Sequence, residues 1–131
     1  MTKNELTKTG RYWESGSKQD FLSAKEIIQK TSRYSSGLFF LHLSIEKKLK
    51  SIFVFRFEEN PPYTHNLTFL AERCELKLSA SLVKFLSTVN EFNLSTRYPA
   101  DKVKVQKKFN KEYAKRWLSK VENFLQSLAT N

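Results

Sequence analysis

Between Phe39 and Phe55 the chain reads FFLHLSIEKKLKSIFVF, apolar at almost every helical turn, yet it carries His42, Glu46, Lys47, Lys48 and Lys50 in its middle. At 100° per residue, Leu38, Leu41, Ile45, Leu49 and Ile52 form one stripe, the expected core face. Phe39, Phe40, Leu43 and Val54 point well away from that stripe, beside Lys47 and Lys50. A helix that is apolar nearly all round is either central to its fold or shared with a second subunit. In a small bundle every helix keeps a solvent side, so a homodimer interface on this helix is the expectation.

The rest of the chain points to the same class. Three Gly and three Pro in 131 residues leave few breakers, which favours helices over a sandwich of tight turns. The length fits one domain, residues 1–131, with 40% apolar residues for a single core. Residues 1–11 read as a polar N-terminal extension. Periodicity predicts a first helix over about 13–31, with Gly16 a weak point, and a second over about 36–57. The joint EENPPYT follows, where Pro61 and Pro62 exclude continued helix. Thr64 is then the expected N-cap of a third helix over about 65–76. Ser79 or Ser81 caps a fourth that reaches about Asn90, NLSTRYPADKV reads as an ordered loop, and a last helix covers about 108–129. The fold class is all-α, four to five helices.

Cys74 is the only cysteine, which excludes an intrachain disulfide and a cysteine-rich zinc site. The polar N-terminus does not resemble a secretory signal, and charge interrupts every apolar stretch before the roughly 18 residues a membrane span needs. A soluble cytoplasmic protein is expected.

The net charge of +10 is localised. Lys102, Lys104, Lys107, Lys108, Lys111, Lys115, Arg116 and Lys120 face a single acid, Glu112, in that stretch. A field of one sign attracts polyanions, although a surplus of lysine on a solvated face gives the same pattern. On the last helix Ala114, Trp117, Leu118, Val121, Leu125 and Leu128 share one arc, with Arg116, Lys120, Asn123 and Ser127 opposite. Aromatic and basic residues are therefore mostly segregated there and not interleaved, unlike a stacking platform for bases. His42 and Glu46, four apart, could join His65 around a metal, but the spacing is common by chance. Glu46 is better read as an acceptor for a neighbouring helix or a partner for Lys or Arg. His65 in a first turn can bond a nearby carbonyl or carboxylate, and Arg97 can brace its loop or offer its planar fork to a phosphate.

Three motifs in order suggest a family. FFLHLSIEKKLKSIF carries Glu46, Lys47, Leu49 and Lys50; THNLTFL carries Thr64, His65, Asn66 and Leu67; STRYPADK carries Arg97, Tyr98, Pro99 and Asp101. Together with the spacing of Trp13, Asp20 and Ala24, they resemble the HEPN domain (higher eukaryotes and prokaryotes nucleotide-binding), in its Arg-Tyr-Pro branch. The resemblance spans roughly residues 12–128.

It implies an up-and-down helical bundle, usually a homodimer, often encoded beside a minimal nucleotidyltransferase in a toxin–antitoxin-like pair. Many members are metal-independent ribonucleases marked by an Arg followed four to six residues later by His. This chain departs from that mark: no histidine follows Arg97, and Arg33 and Arg56 each precede a histidine by nine residues. The expectation is a non-catalytic module without cofactor or metal, binding a nucleotide or RNA phosphate through Arg97, Tyr98, Lys102, Lys104, Lys47, Lys50 and His65. The alternative is a ribonuclease toxin of unusual layout, using His42 or His65 with a distant arginine. A pure interaction subunit is a third possibility.

Overall fold

A computed structural model describes residues 1–94 and 107–129. Among these the chain forms five helices and no strand: α1 (Lys3–Lys30), α2 (Tyr34–Phe57), α3 (Leu67–Arg73), α4 (Ala80–Leu94) and α5 (Lys111–Ala129). Among the described residues, no helix is long and apolar enough to cross a membrane.

α1 starts ten residues before the expected position. Thr2 accepts from the backbone N–H of Glu5, and the Glu5 carboxylate accepts from the N–H of Thr2, so a capping box satisfies the first turn. The polar residues before Trp13 hid this start, because they lack apolar periodicity. They are helical all the same, and residues 3–11 form about the first two and a half turns of α1.

α1 and α2 form an antiparallel hairpin that the glycines make tight. Gly10 lies under the Phe55 ring, Gly16 against the Lys47 stem and Gly37 against Ile28, so the contacts run in opposite directions along the two helices. Ser17 donates to the Ser44 carbonyl at 2.6 Å between them, a buried polar contact that only a close backbone approach allows. Gly16, a weak point by propensity, faces only the flexible stem of Lys47, whereas a side chain at Gly37 would run into Ile28.

α2 packs against all four other helices. That overturns the argument for placing a dimer interface over its whole second face: the helix is apolar all round because it is central. Val54 is buried and Phe40 packs on the core, both within one chain. Phe53 joins Leu38, Leu41, Ile45 and Leu49 in the core, while Ile52 is half-buried. Of the second face, Phe39 and Leu43 stay half-buried.

α3 is shorter than expected at both ends. Its N-cap is Asn66, whose Oδ1 accepts from the Phe69 N–H, and not Thr64, whose Oγ1 accepts from the Asn66 N–H one step earlier. It ends in a Schellman pair, Leu76 N–H to the Ala71 carbonyl and Glu75 N–H to that of Glu72, with Glu75 at φ 59°. A left-handed residue at a helix end is usually glycine, so Glu75 gave no stop signal. Ser79 caps α4 by accepting from the Leu82 N–H, as expected, and Asn110 does the same for α5 toward Tyr113. Ala114, Trp117, Leu118, Val121 and Leu128 of α5 are buried on the arc that the sequence defined. Phe85, Phe92, Phe109, Tyr113, Trp117 and Phe124 make a continuous aromatic layer between α4 and α5.

Candidate functional site

Glu46 is the hub of the polar residues that α2 carries inward. Its side chain is 5% exposed, a position tolerable for a carboxylate only with partners. One oxygen accepts from Lys50 Nζ at 2.9 Å, one turn along α2. The other accepts from His65 Nδ1 at 2.9 Å, across from the α2–α3 joint. The His42 ring, fully buried, completes the group: its Nε2 donates to the His65 carbonyl at 3.0 Å, which sets the proton on Nε2. His42, Glu46 and His65 do come together, but through hydrogen bonds: His42 gives its Nε2 proton to a backbone oxygen, and its Nδ1 lies 3.8 Å from the same Glu46 Oε1 that His65 holds. Among the described residues, no set of three or more metal-ligating side chains forms a cation site.

This arrangement explains the charges inside the apolar helix. Glu46 accepts hydrogen bonds from a neighbouring segment, as the sequence suggested, and His65 meets a carboxylate, although it precedes α3 and is not in its first turn. Lys50 is 8% exposed, and its Nζ also sits 5.0 Å from the centroid of the Trp13 ring on α1. Lys47 pairs with Asp20 of α1 at 2.7 Å. Of the lysines named as phosphate ligands, the two on α2 therefore pair with carboxylates of the bundle itself. His65 differs: its side chain is 59% exposed, with Nδ1 held by Glu46.

Beyond Lys50 the surface opens into a cleft of about 370 Å³ between α1 and the α2–α3 joint. Lys8, Tyr12 and Trp13 form one wall, Pro61, Pro62 and Tyr63 the other, and Lys50 the floor. Tyr12 is 69% exposed and Tyr63 fully so. Sequence reasoning missed this cleft. Its one signal was Tyr63, an aromatic residue among prolines and polar residues, outside any helical period.

Two contacts join α4 to its neighbours at the same end of the bundle. Asn90, near the end of α4, accepts from the Leu67 N–H at 2.9 Å, and next to it Glu91 pairs with Lys108 at 3.1 Å. The described residues flanking the segment 95–106 thus lie beside the start of α3, next to His65. Arg97, Tyr98, Lys102 and Lys104 themselves lie outside the described residues.

On α5, Lys111, Lys115, Arg116 and Lys120 are exposed, and none of them pairs with a carboxylate among the described residues. Aromatic and basic residues are not cleanly segregated here. Arg116 lies 5.4 Å from the Tyr113 ring centroid and Lys120 lies 4.6 Å from that of Trp117, each three residues on. At that spacing a cation folds back over a half-covered ring, which a division into two arcs does not register.

Comparison with curated proteins and with solved structures finds no match to the chain. A family model described as the HEPN domain matches residues 11–130, from the first helix through the last. That span takes in the α1–α2 hairpin, the Glu46–His65 contact and the basic helix alike, and the chain belongs to the HEPN domain family.

Proposed function

We propose that this protein is a dimeric, non-catalytic HEPN module of the cytoplasm that binds a nucleotide or RNA phosphate, together with a minimal nucleotidyltransferase partner in a toxin–antitoxin-like pair. The observation that carries the reading is the contrast between two sets of lysines. Lys47 and Lys50 are neutralised inside the fold, whereas Lys111, Lys115, Arg116 and Lys120 stand exposed on one short helix without carboxylate partners among the described residues. Phosphate contacts are therefore assigned to α5 and to Arg97, Lys102 and Lys104 in the segment that leads to it. The partner and the dimer rest on the resemblance to the Arg-Tyr-Pro branch.

Binding of labelled single-stranded RNA across a salt series tests this. One phosphate contact for each of the seven cations so assigned gives a slope of log affinity on log salt of roughly −5. Replacing Lys111 and Lys115 with Gln should make the slope shallower by about 1.4. Absence of salt-dependent binding overturns the proposal.

One observation favours a second reading, a metal-independent ribonuclease. Glu46 holds Nδ1 of an exposed imidazole, His65, the arrangement that orients a general base. RNA cleavage without divalent metal, lost in His65→Gln, would establish it. The proposal expects no cleavage by the wild type.

A further inference from the structure

The cleft over Lys50 has a composition that neither the phosphate-binding reading nor the stability of the bundle requires. Tyr12 and Tyr63, both far more exposed than the other tyrosines of the helices, line its rim, and no acid lines it. Exposed aromatic faces in water are retained at little cost singly, but two around one cleft whose exposed cation is Lys8 suit a flat partner of negative charge. Trp13 lies at 5.3 Å from Tyr12 in an edge-to-face contact, which holds the Tyr12 ring in place, and Lys50 over the Trp13 ring fixes the floor. Pro62, next to Tyr63, restricts the backbone that presents that ring. The Tyr12 wall is thus braced before a ligand arrives, which lowers the entropy lost on binding there.

We infer that this cleft is a nucleobase-stacking site: an unpaired base lies against Tyr12 and Tyr63, and its phosphate meets the ammonium of Lys8. The volume suits a small flat ligand. Stacking on aromatic rings tolerates any base, because every base presents a π-face, and it requires that the base be unpaired. Buried contacts link the cleft to the end of the bundle that borders the proposed interface: Lys50 binds Glu46, Glu46 binds His65, and His65 lies next to Leu67, whose N–H donates to Asn90 of α4. The inference rests on the proposed binding function and extends it from phosphate to base. The base can come from a free mononucleotide or from a single-stranded RNA, and the experiment separates the two.

Fluorescence anisotropy of a labelled single-stranded oligoribonucleotide is measured for wild type, Tyr12→Ala, Tyr63→Ala and the corresponding Phe variants, with an abasic ribose-phosphate chain of equal length as a second probe. Each Ala variant should lose about tenfold or more in affinity, the Phe variants should retain it, and the abasic chain should bind wild type as weakly as the oligonucleotide binds the Ala variants. Competition by AMP and UMP then identifies a free nucleotide as the source of the base; competition by oligonucleotide alone identifies RNA. Unchanged affinity in the Ala variants with the salt slope intact overturns the stacking site and leaves phosphate binding on α5 standing. Equal competition by poly-glutamate shows a cleft that reads charge only, or an acidic peptide, and likewise overturns it. No binding of oligonucleotide or mononucleotide at any salt removes both readings.

Discussion

His65 donates its Nδ1 proton to Oε1 of Glu46 at 2.9 Å, joining an exposed residue of the α2–α3 joint to a carboxylate buried in the central helix. Lys50 holds the other oxygen of the same carboxylate. Removing Glu46 leaves Lys50 buried with an uncompensated charge. Glu46→Ala should therefore lower the unfolding free energy by about 3–5 kcal/mol, the usual consequence of breaking a buried pair. His65→Ala, on the wet side of the contact, should lose only about 1 kcal/mol. Urea titration checks both, and a loss under 1 kcal/mol for Glu46→Ala would show that the hub is not structural.

Gly16 and Gly37 of the hairpin should differ when replaced by alanine. At Gly37 the new Cβ would overlap Ile28 Cγ1, the side chain of a residue only 2% exposed. Overpacking of that kind costs about 1–3 kcal/mol, more than the helix propensity alanine adds. At Gly16 the Cβ would meet Lys47 Cδ at 3.0 Å, part of a flexible stem that can move. Gly16→Ala should then be neutral or stabilising by up to about 1 kcal/mol. Thermal melts of the two variants side by side decide this; equal destabilisation would contradict it.

Burial raises the Cys74 thiol from 9.0 to about 11, against smaller opposing effects of the Arg56 charge and a backbone hydrogen bond. Its Sγ donates to the Leu49 carbonyl at 3.2 Å. The raised value means that the folded state holds this proton more tightly than the unfolded chain. The contribution to stability is complete below pH 9 and falls as the pH rises toward 11. The native thiol should react with a thiol reagent at pH 8 only as fast as the protein opens, and Cys74→Ala should flatten the alkaline loss of stability. Rapid labelling of folded protein would be the contrary result.

Self-association should depend on Phe39 and Leu43, the half-buried remainder of the second face of α2. Each such side chain is worth about 1.5–3 kcal/mol when fully buried. Leu43→Glu should convert a dimer to a monomer by light scattering. A monomeric wild type at micromolar concentration would disprove the dimer.

Arg97→Ala should weaken RNA or nucleotide binding by about one to two orders of magnitude, since a charged hydrogen bond of this kind is worth roughly 1.5–3 kcal/mol. Arg97→Lys should recover part of it, because an ammonium keeps the charge but not the fork. A melt and a titration on the same variant separate the roles: a large fall in melting temperature with unchanged affinity in the folded fraction would make Arg97 a brace for its loop.

The all-helical fold, the core stripe of Leu38, Leu41, Ile45 and Leu49 and the buried arc of α5 were legible in the sequence, because apolar side chains at helical spacing have few other ways to leave water. So was the role of Glu46 as an acceptor, since an ionised group inside an apolar run must find partners. Its particular partner was not: Glu46 and His65 are nineteen residues apart, and only the turn through Pro61 and Pro62 brings them together. The start of α1 was hidden because a capping box is made of polar residues that periodicity ignores. The end of α3 was hidden because Glu75 adopts a left-handed conformation more typical of glycine. What the tertiary structure alone decided is which charges remain available. Sequence places Lys50 and Lys115 in one class, four-carbon stems with an ammonium. Packing sends the first to Glu46 and Trp13 inside the bundle and leaves the second in water, because only the helix at the centre meets neighbours on every side.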